Sequence, residues 1–282
     1  MPELPEIEIA VRRIEAAVAG IKIESAMAPG MNTMKTFDPP LHSLAGRELE
    51  SAHRRGKLIM LGFGEHTLLM HLMQGGRIQL HDKRASMRDR TARVLLRLID
   101  GRELRLREFG TQQRAWAKLL VSGAVAQDED FAKLGPEAYP PPDHDTWAAL
   151  IDGPHHLHPL LRDQRTIAGI GRSWVDEILW EAELSPFRKG SDLDGAEVAR
   201  LRVATEEVLG GALAHYEEVI GPSLPDKLPM PLKVHRRQGE PCPRCATTLE
   251  AVHFKDYVMT YCPAEQTGGR VLKDRRLSRL LK

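Results

Sequence analysis

Residues 134–142 read Leu-Gly-Pro-Glu-Ala-Tyr-Pro-Pro-Pro, and they constrain the chain more than any other stretch. Proline fixes φ, lacks an N–H and pushes the residue before it out of the helical region, so neither a helix nor a central strand passes through such a segment. The patterning differs on its two sides. Before it come short β-rich runs ended by turn signals, at 21–27, 47–54, 57–63, 67–72, 76–81 and 114–121. Ala92 to Ile99 also meets Glu103 to Arg107 across Asp100-Gly101, a strong hairpin signal. So many short strands at regular spacing predict a β-sandwich or barrel. Ahead of them Ile7, Val11, Ile14 and Val18 recur at helical spacing and predict a helix ending near Gly20. After the proline stretch the reading is helical, over 147–151, 160–166, 174–184 and 197–216, with a proline-bearing loop at 221–231. The expected class is α+β. Its expected parts are an N-terminal helix and β-sandwich domain (1–133), a linker (134–143), a helical domain (144–232) and a cysteine-bearing unit with a basic tail (233–282).

A chain of 282 residues has room for two domains with separate cores. No apolar run approaches the ~20 residues a membrane helix needs, and the N-terminus has no signal-peptide pattern, so a cytoplasmic protein is expected. With a net charge of only +1, affinity for a polyanion has to come from local basic patches. All three cysteines lie near the C-terminus, and that odd number points to metal rather than a disulfide framework.

The opening Met1-Pro2-Glu3-Leu4-Pro5-Glu6 has two readings. Proline and acids in a first turn make an ordinary helix start. Alternatively, removal of Met1 leaves Pro2 as a free secondary amine with a carboxylate next to it. An α-amino group titrates near pH ~8, so such an amine is partly nucleophilic at neutral pH. Attack on a sugar C1′ gives an iminium that draws electrons for elimination, with Glu3 moving protons.

That opening resembles the Fpg/Nei family of DNA glycosylases, and five further stretches match the same family over nearly the whole chain. The resemblance implies a β-sandwich, a helix-two turns-helix domain and a zinc-ribbon-like β-hairpin. It also implies an enzyme of base excision repair, a DNA-formamidopyrimidine glycosylase-like protein with abasic-site lyase activity, acting on damaged double-stranded DNA. In Arg54-Arg55-Gly56-Lys57, whose bland reading is a solvated turn, Lys57 matches a phosphate-contacting lysine. His71-Leu72-Met73-Gln74-Gly75-Gly76 resembles the loop whose residue at Gln74 fills the gap left by the extruded base. Glutamine there is closer to Nei-type enzymes. Arg107-Glu108-Phe109-Gly110 resembles the loop that faces the opposite base with an arginine and inserts an apolar wedge; the bland alternative is a hairpin end with a core phenylalanine. The stretch Asp163 to Trp180 resembles the helix-two turns-helix, where Gly171 opens a helix N-terminus to phosphate. Arg172 replaces the family's asparagine and His158 an upstream lysine, whereas Glu177 matches an acid read as structural.

Cys242-x2-Cys245-x16-Cys262-x2-Glu265 has zinc-ribbon spacing with Glu265 in place of a fourth cysteine. Three outcomes stay open: one zinc ion held by three cysteines and Glu265, a shell completed by another residue such as His253, or a finger held by packing without metal. The family finger's hairpin arginine is missing and Tyr257 or a neighbour stands there, so Lys255 and Tyr257 are candidates for remaking its DNA contacts. Leu272, Leu277, Leu280 and Leu281 predict a short amphipathic tail helix with a basic face. The enzyme is expected to be a monomer. Its rivals are a catalytically weak protein that binds damaged or structured DNA and a zinc-dependent module without a reaction.

Overall fold

The head of the chain forms the helix that its spacing predicts. In the computed structural model, which describes residues 2–30, 32–86, 89–110, 112–254 and 257–272, α1 runs Leu4–Val18. Pro5 sits in its first turn, where a missing N–H costs nothing. Ile7, Val11, Ile14 and Val18 are all buried, and each contributes roughly 1.5–3 kcal/mol by leaving water. Polar contacts fix the direction of α1 against strand β2 (Ser51–Arg55). Glu8 Oε2 accepts from Arg54 Nε at 2.6 Å and Glu15 Oε1 accepts from the Ala52 N–H at 3.4 Å. Advancing along the helix therefore moves backward along the strand, and the start of α1 lies at the Arg55–Lys57 end of β2.

Seven more strands complete this part: β1 (Ile23–Met27), β3 (Leu58–Phe63), β4 (His66–His71), β5 (Gly76–His81), β6 (Ala92–Leu98), β7 (Glu103–Glu108) and β8 (Trp116–Val121). They pair antiparallel in two four-stranded sheets, ordered β1-β6-β7-β5 and β2-β3-β4-β8. Ile59, Leu61, Phe63 and Leu68 of one sheet and Val94, Leu96, Leu98 and Leu104 of the other are buried, giving the expected β-sandwich core. At the hairpin Gly101 takes φ +91°, a left-handed conformation costly for other residues, and the Asp100 carboxylate accepts the Arg102 N–H at 3.0 Å. A single turn of helix, α2 (Glu129–Ala132), follows and is capped by Asp128.

The remaining elements are α3 (His144–Ile151), α4 (Leu157–Arg162), α5 (Arg172–Glu181), α6 (Gly195–Val219), an antiparallel hairpin of β9 (Glu250–His253) and β10 (Val258–Tyr261), and α7 (Pro263–Thr267). The α4 helix starts earlier than predicted and stops at Arg162. Asp163 turns its carboxylate onto the Arg165 N–H at 3.0 Å, closing a local turn that competes with helix. The chain forms two compact units, Met1–Leu134 with Leu213–Pro229 and Gly135–Ala212 with Met230–Lys282. Trp147, Leu161, Ile170, Trp174 and Ile178 are buried in the second. Among the described residues no helix is long and apolar enough to cross a membrane. The amphipathic tail expected through Leu277, Leu280 and Leu281 lies outside the described residues.

Candidate active site and nucleic-acid interface

Glu3 is the N-cap of α1 and is 1% exposed. Its backbone N–H donates to Glu6 Oε2 at 2.9 Å, and Glu6 Oε1 accepts the Tyr216 hydroxyl of α6 at 2.7 Å. One buried carboxylate thus ties the chain's first turn to a helix 210 residues away. Burial, and then the Glu6 charge, raise the Tyr216 phenol above its ordinary range, so it remains a donor. Pro2 precedes this cap at the positive end of the α1 dipole and is partly exposed.

Lys57 follows Gly56, which turns the chain at φ +54°, and is only 5% exposed, so it is no solvated turn residue. The next residue, Leu58, pairs with His71 across the β3–β4 ladder. Burial, and secondarily the Lys57 ammonium, push the His71 pKa down to about 4. The imidazole is neutral at pH 7; its Nδ1 accepts the Met73 N–H at 2.9 Å and its ring stacks on Trp116 at 5.8 Å. His71 therefore shapes a loop rather than handling protons.

That loop carries Gln74 exposed at its tip, after Met73 at φ +50°. Gly75 then lets it touch the Phe109 loop. The Phe109 N–H donates to the Gly75 carbonyl at 3.0 Å, and a Cβ on Gly75 would lie 2.2 Å from the Phe109 carbonyl oxygen. Phe109 is 37% exposed, with the Arg107 guanidinium 4.7 Å from its ring centre. Arg107 is held by Thr91 Oγ1 at 3.0 Å and, more loosely, by Asp226 at 3.4 Å. Gln74, Arg107 and Phe109 are thus neighbours, and an exposed aromatic steadied by a cation suits a wedge better than a core residue.

In the second unit Gln164 builds the turn between α4 and α5. Its amide nitrogen donates to the Arg162 and Ile170 carbonyls at 2.9 and 2.8 Å, and its oxygen accepts the Gly169 N–H at 3.0 Å. Gly169 adopts φ +113°, and Gly171 is the N-cap of α5, directly before Arg172. Glu177 is structural, as read from the sequence, because its carboxylate accepts the N–H groups of Lys233, Val234 and His235 at 2.8–2.9 Å. Asp176 likewise receives His158, His235 and the Thr260 N–H. His158 is 1% exposed, and burial lowers its pKa, so it is a neutral interior group. Tyr257 of the hairpin stacks on Phe254 at 4.5 Å and on His158 at 5.6 Å, with the Arg162 and Arg172 guanidinium groups 4.3 and 5.2 Å from its ring centre. Lys255 lies outside the described residues.

The donor atoms of Cys242, Cys245, Cys262 and Glu265 lie within 4.8 Å of one another, and His253 is not in the group. Ligands about 2.0–2.3 Å from a tetrahedral ion stand roughly 3.3–3.8 Å apart, and the Cys245–Cys262 sulfur separation is 3.5 Å. The set therefore fits a zinc-sized ion. Around it, Trp180 Nε1 donates to Cys242 Sγ at 3.4 Å and Arg244 Nε to Glu265 Oε2 at 3.0 Å, orienting two of the four donors.

Comparison with known proteins gives this geometry a context. A model of the formamidopyrimidine-DNA glycosylase N-terminal domain matches residues 1–114, and one of the formamidopyrimidine-DNA glycosylase H2TH domain matches 134–221. The formamidopyrimidine-DNA glycosylase of Enterococcus faecalis is 31% identical over 97% of this chain and 100% of its own. The chain belongs to the Fpg/Nei family of DNA glycosylases. That of Herpetosiphon aurantiacus is 32% identical over 94% of this chain and 100% of its own. Lactococcus lactis Fpg, solved with DNA containing an abasic site, superposes with a TM-score of 0.84 at 25% identity, covering 94% of this chain and 99% of that one. The same enzyme with DNA containing N7-benzyl-Fapy-dG gives 0.84 at 26% identity, over 94% and 100%.

Sequence reading missed Glu6 as a hub, Tyr216 as its partner and Arg162 beside Tyr257. Only Glu6 had a local signal, an acid three residues after an N-cap.

Proposed function

We propose that this family member is a bifunctional DNA glycosylase and abasic-site lyase of base excision repair, with processed Pro2 as its nucleophile. The carrying observation is the placement of Pro2. It heads a helix whose first turn is locked by Glu6 and Tyr216, beside a buried Glu3 and at the Lys57 end of β2. A damaged base is extruded from the duplex, and Gln74 and Phe109 fill and wedge the space it leaves while Arg107 faces the opposite strand. The Pro2 nitrogen lone pair forms a bond to C1′ as the base leaves with the C1′–N electrons and a proton. The nitrogen sheds its proton, the C1′–O4′ bond opens with O4′ taking its electrons and a proton, and the nitrogen lone pair completes an iminium that makes the C2′ proton acidic. Loss of that proton expels the 3′ phosphate and cuts the strand, with Glu3 carrying protons. Lys57 neutralises a flanking phosphate, and Gly171 and Arg172 hold the backbone from the second unit. The three cysteines and Glu265 would hold one zinc ion, which braces the hairpin carrying Tyr257 and takes no part in the chemistry. Strand cleavage of an abasic-site duplex tests this reading. Wild type cuts and Pro2→Gly does not; equal cutting by both would refute it.

A further inference from the structure

We propose that Glu108 is a positioning residue for the DNA-facing loop, holding the chain after β7 closed so that Phe109 stands out as a wedge with Arg107 beside it. The proposal rests on the DNA-binding reading above and gives a task to a residue that reading does not use. Glu108 ends β7 between a partly exposed arginine and an exposed phenylalanine, yet it is only 3% exposed itself. Its carboxylate turns back over the connection that follows. Oε1 accepts the N–H groups of Arg114 and Ala115 at 2.7 and 2.9 Å, just before β8 begins at Trp116. Two successive N–H groups aimed at one oxygen make an anion-binding nest, and the charge on the acceptor strengthens both bonds. Because β7 and β8 belong to different sheets, a side chain rather than a ladder ties the ends of this connection.

The other carboxylate oxygen is fixed from behind. Oε2 accepts from Arg93 Nε at 3.3 Å, and the two side chains are 1% and 7% exposed. Arg93 reaches Glu108 because the β6–β7 register shifts between Ala92 and Val94, which makes Arg93 the extra residue of a bulge, and bulges re-aim a side chain. Gly30 leaves room for it, since a Cβ there would lie 2.8 Å from Arg93 Cδ. A buried ion pair adds little net stability over apolar packing, so stability alone does not account for the arrangement. Thr91 holds the same stretch from its other side. Its carbonyl accepts the Glu108 N–H at 2.8 Å, and its Oγ1 accepts from Arg107 Nε at 3.0 Å. One threonine and one carboxylate thus set Arg107, the root of Phe109 and the far end of the connection together.

The test uses the full-length protein and a duplex carrying a non-cleavable abasic-site analogue, with 2-aminopurine in the opposite strand at the adjoining base pair. An apolar wedge unstacks that base, so emission rises on binding. Glu108→Met removes the acceptor at similar length. With its charge-assisted bonds gone, binding is expected to weaken by about tenfold and the rise at saturating protein to shrink to under about half. A purely structural role would lower the active fraction and leave the rise per bound duplex unchanged, so a wild-type rise in Glu108→Met overturns the proposal. If Glu108→Met does not fold because Arg93 is left buried and unpaired, the same change in an Arg93→Met background decides. In that background Glu108→Gln, whose amide oxygen still accepts both N–H groups, is expected to restore the rise. Equal loss with glutamine and methionine there overturns the proposal. A wild-type protein that does not bind the duplex would sink the functional reading, and this proposal with it.

Discussion

Changing Tyr216 to Phe removes one oxygen from a fully buried side chain and leaves the ring in place, so no cavity opens. What is lost is the 2.7 Å donation to Glu6 Oε1. A hydrogen bond to a charged acceptor contributes about 1.5–3 kcal/mol. For a unit of about 150 residues this corresponds to a melting point lower by roughly 3–12 °C. Pairing the change with Glu6→Gln in a double-mutant cycle isolates the contact, and a coupling of about 1–3 kcal/mol is expected from urea unfolding. The pH dependence supplies a second handle. Burial raises the Tyr216 pKa in the folded state, so its share of stability is present below the unfolded value of 10.0 and is lost as pH rises above it. Tyr216→Phe should show a shallower alkaline loss than wild type. Additive single effects within about 0.5 kcal/mol would refute the idea that Glu6 and Tyr216 jointly lock the first turn.

Three further outcomes are expected. His71 has its pKa lowered to about 4, so its contribution is present above the unfolded value of 6.5 and lost as pH falls toward 4; His71→Asn should flatten that part of an acid titration of stability. In Gly75→Ala the new Cβ meets the Phe109 carbonyl at 2.2 Å, so stability should drop by about 1–3 kcal/mol and binding to an abasic-analogue duplex should weaken; wild-type values for both would show that the two loops need not touch. Element analysis should find one zinc per chain, retained in Glu265→Cys and lost in Cys245→Ser; equal metal in Cys245→Ser would place the ion elsewhere.

The parts of the fold visible in the sequence were those carried by local periodicity and turn chemistry. Ile7, Val11, Ile14 and Val18 mark α1, and Asp100-Gly101 marks the β6–β7 turn at its left-handed glycine. The α4 boundary was displaced because Asp163 and Gln164 favour a side-chain-built turn over another turn of helix, a competition that apolar spacing does not register. The cysteine grouping, with Glu265 as its fourth member, was legible from spacing, and the coordinates bring those four donors together without His253. Contacts between distant segments were not legible at all. Nothing near Glu6 announces Tyr216, and nothing near Arg162 announces Tyr257, because each pair is made by packing rather than by neighbours in the chain.

In the proposed reaction the Pro2 nitrogen, freed by processing, bonds to a deoxyribose carbon. Borohydride reduction of the protein mixed with an abasic-site duplex, followed by peptide mass mapping, tests it most directly. A covalent adduct is expected on the peptide beginning at Pro2, absent in Pro2→Gly. No adduct, or one mapped to a lysine such as Lys57, would contradict it.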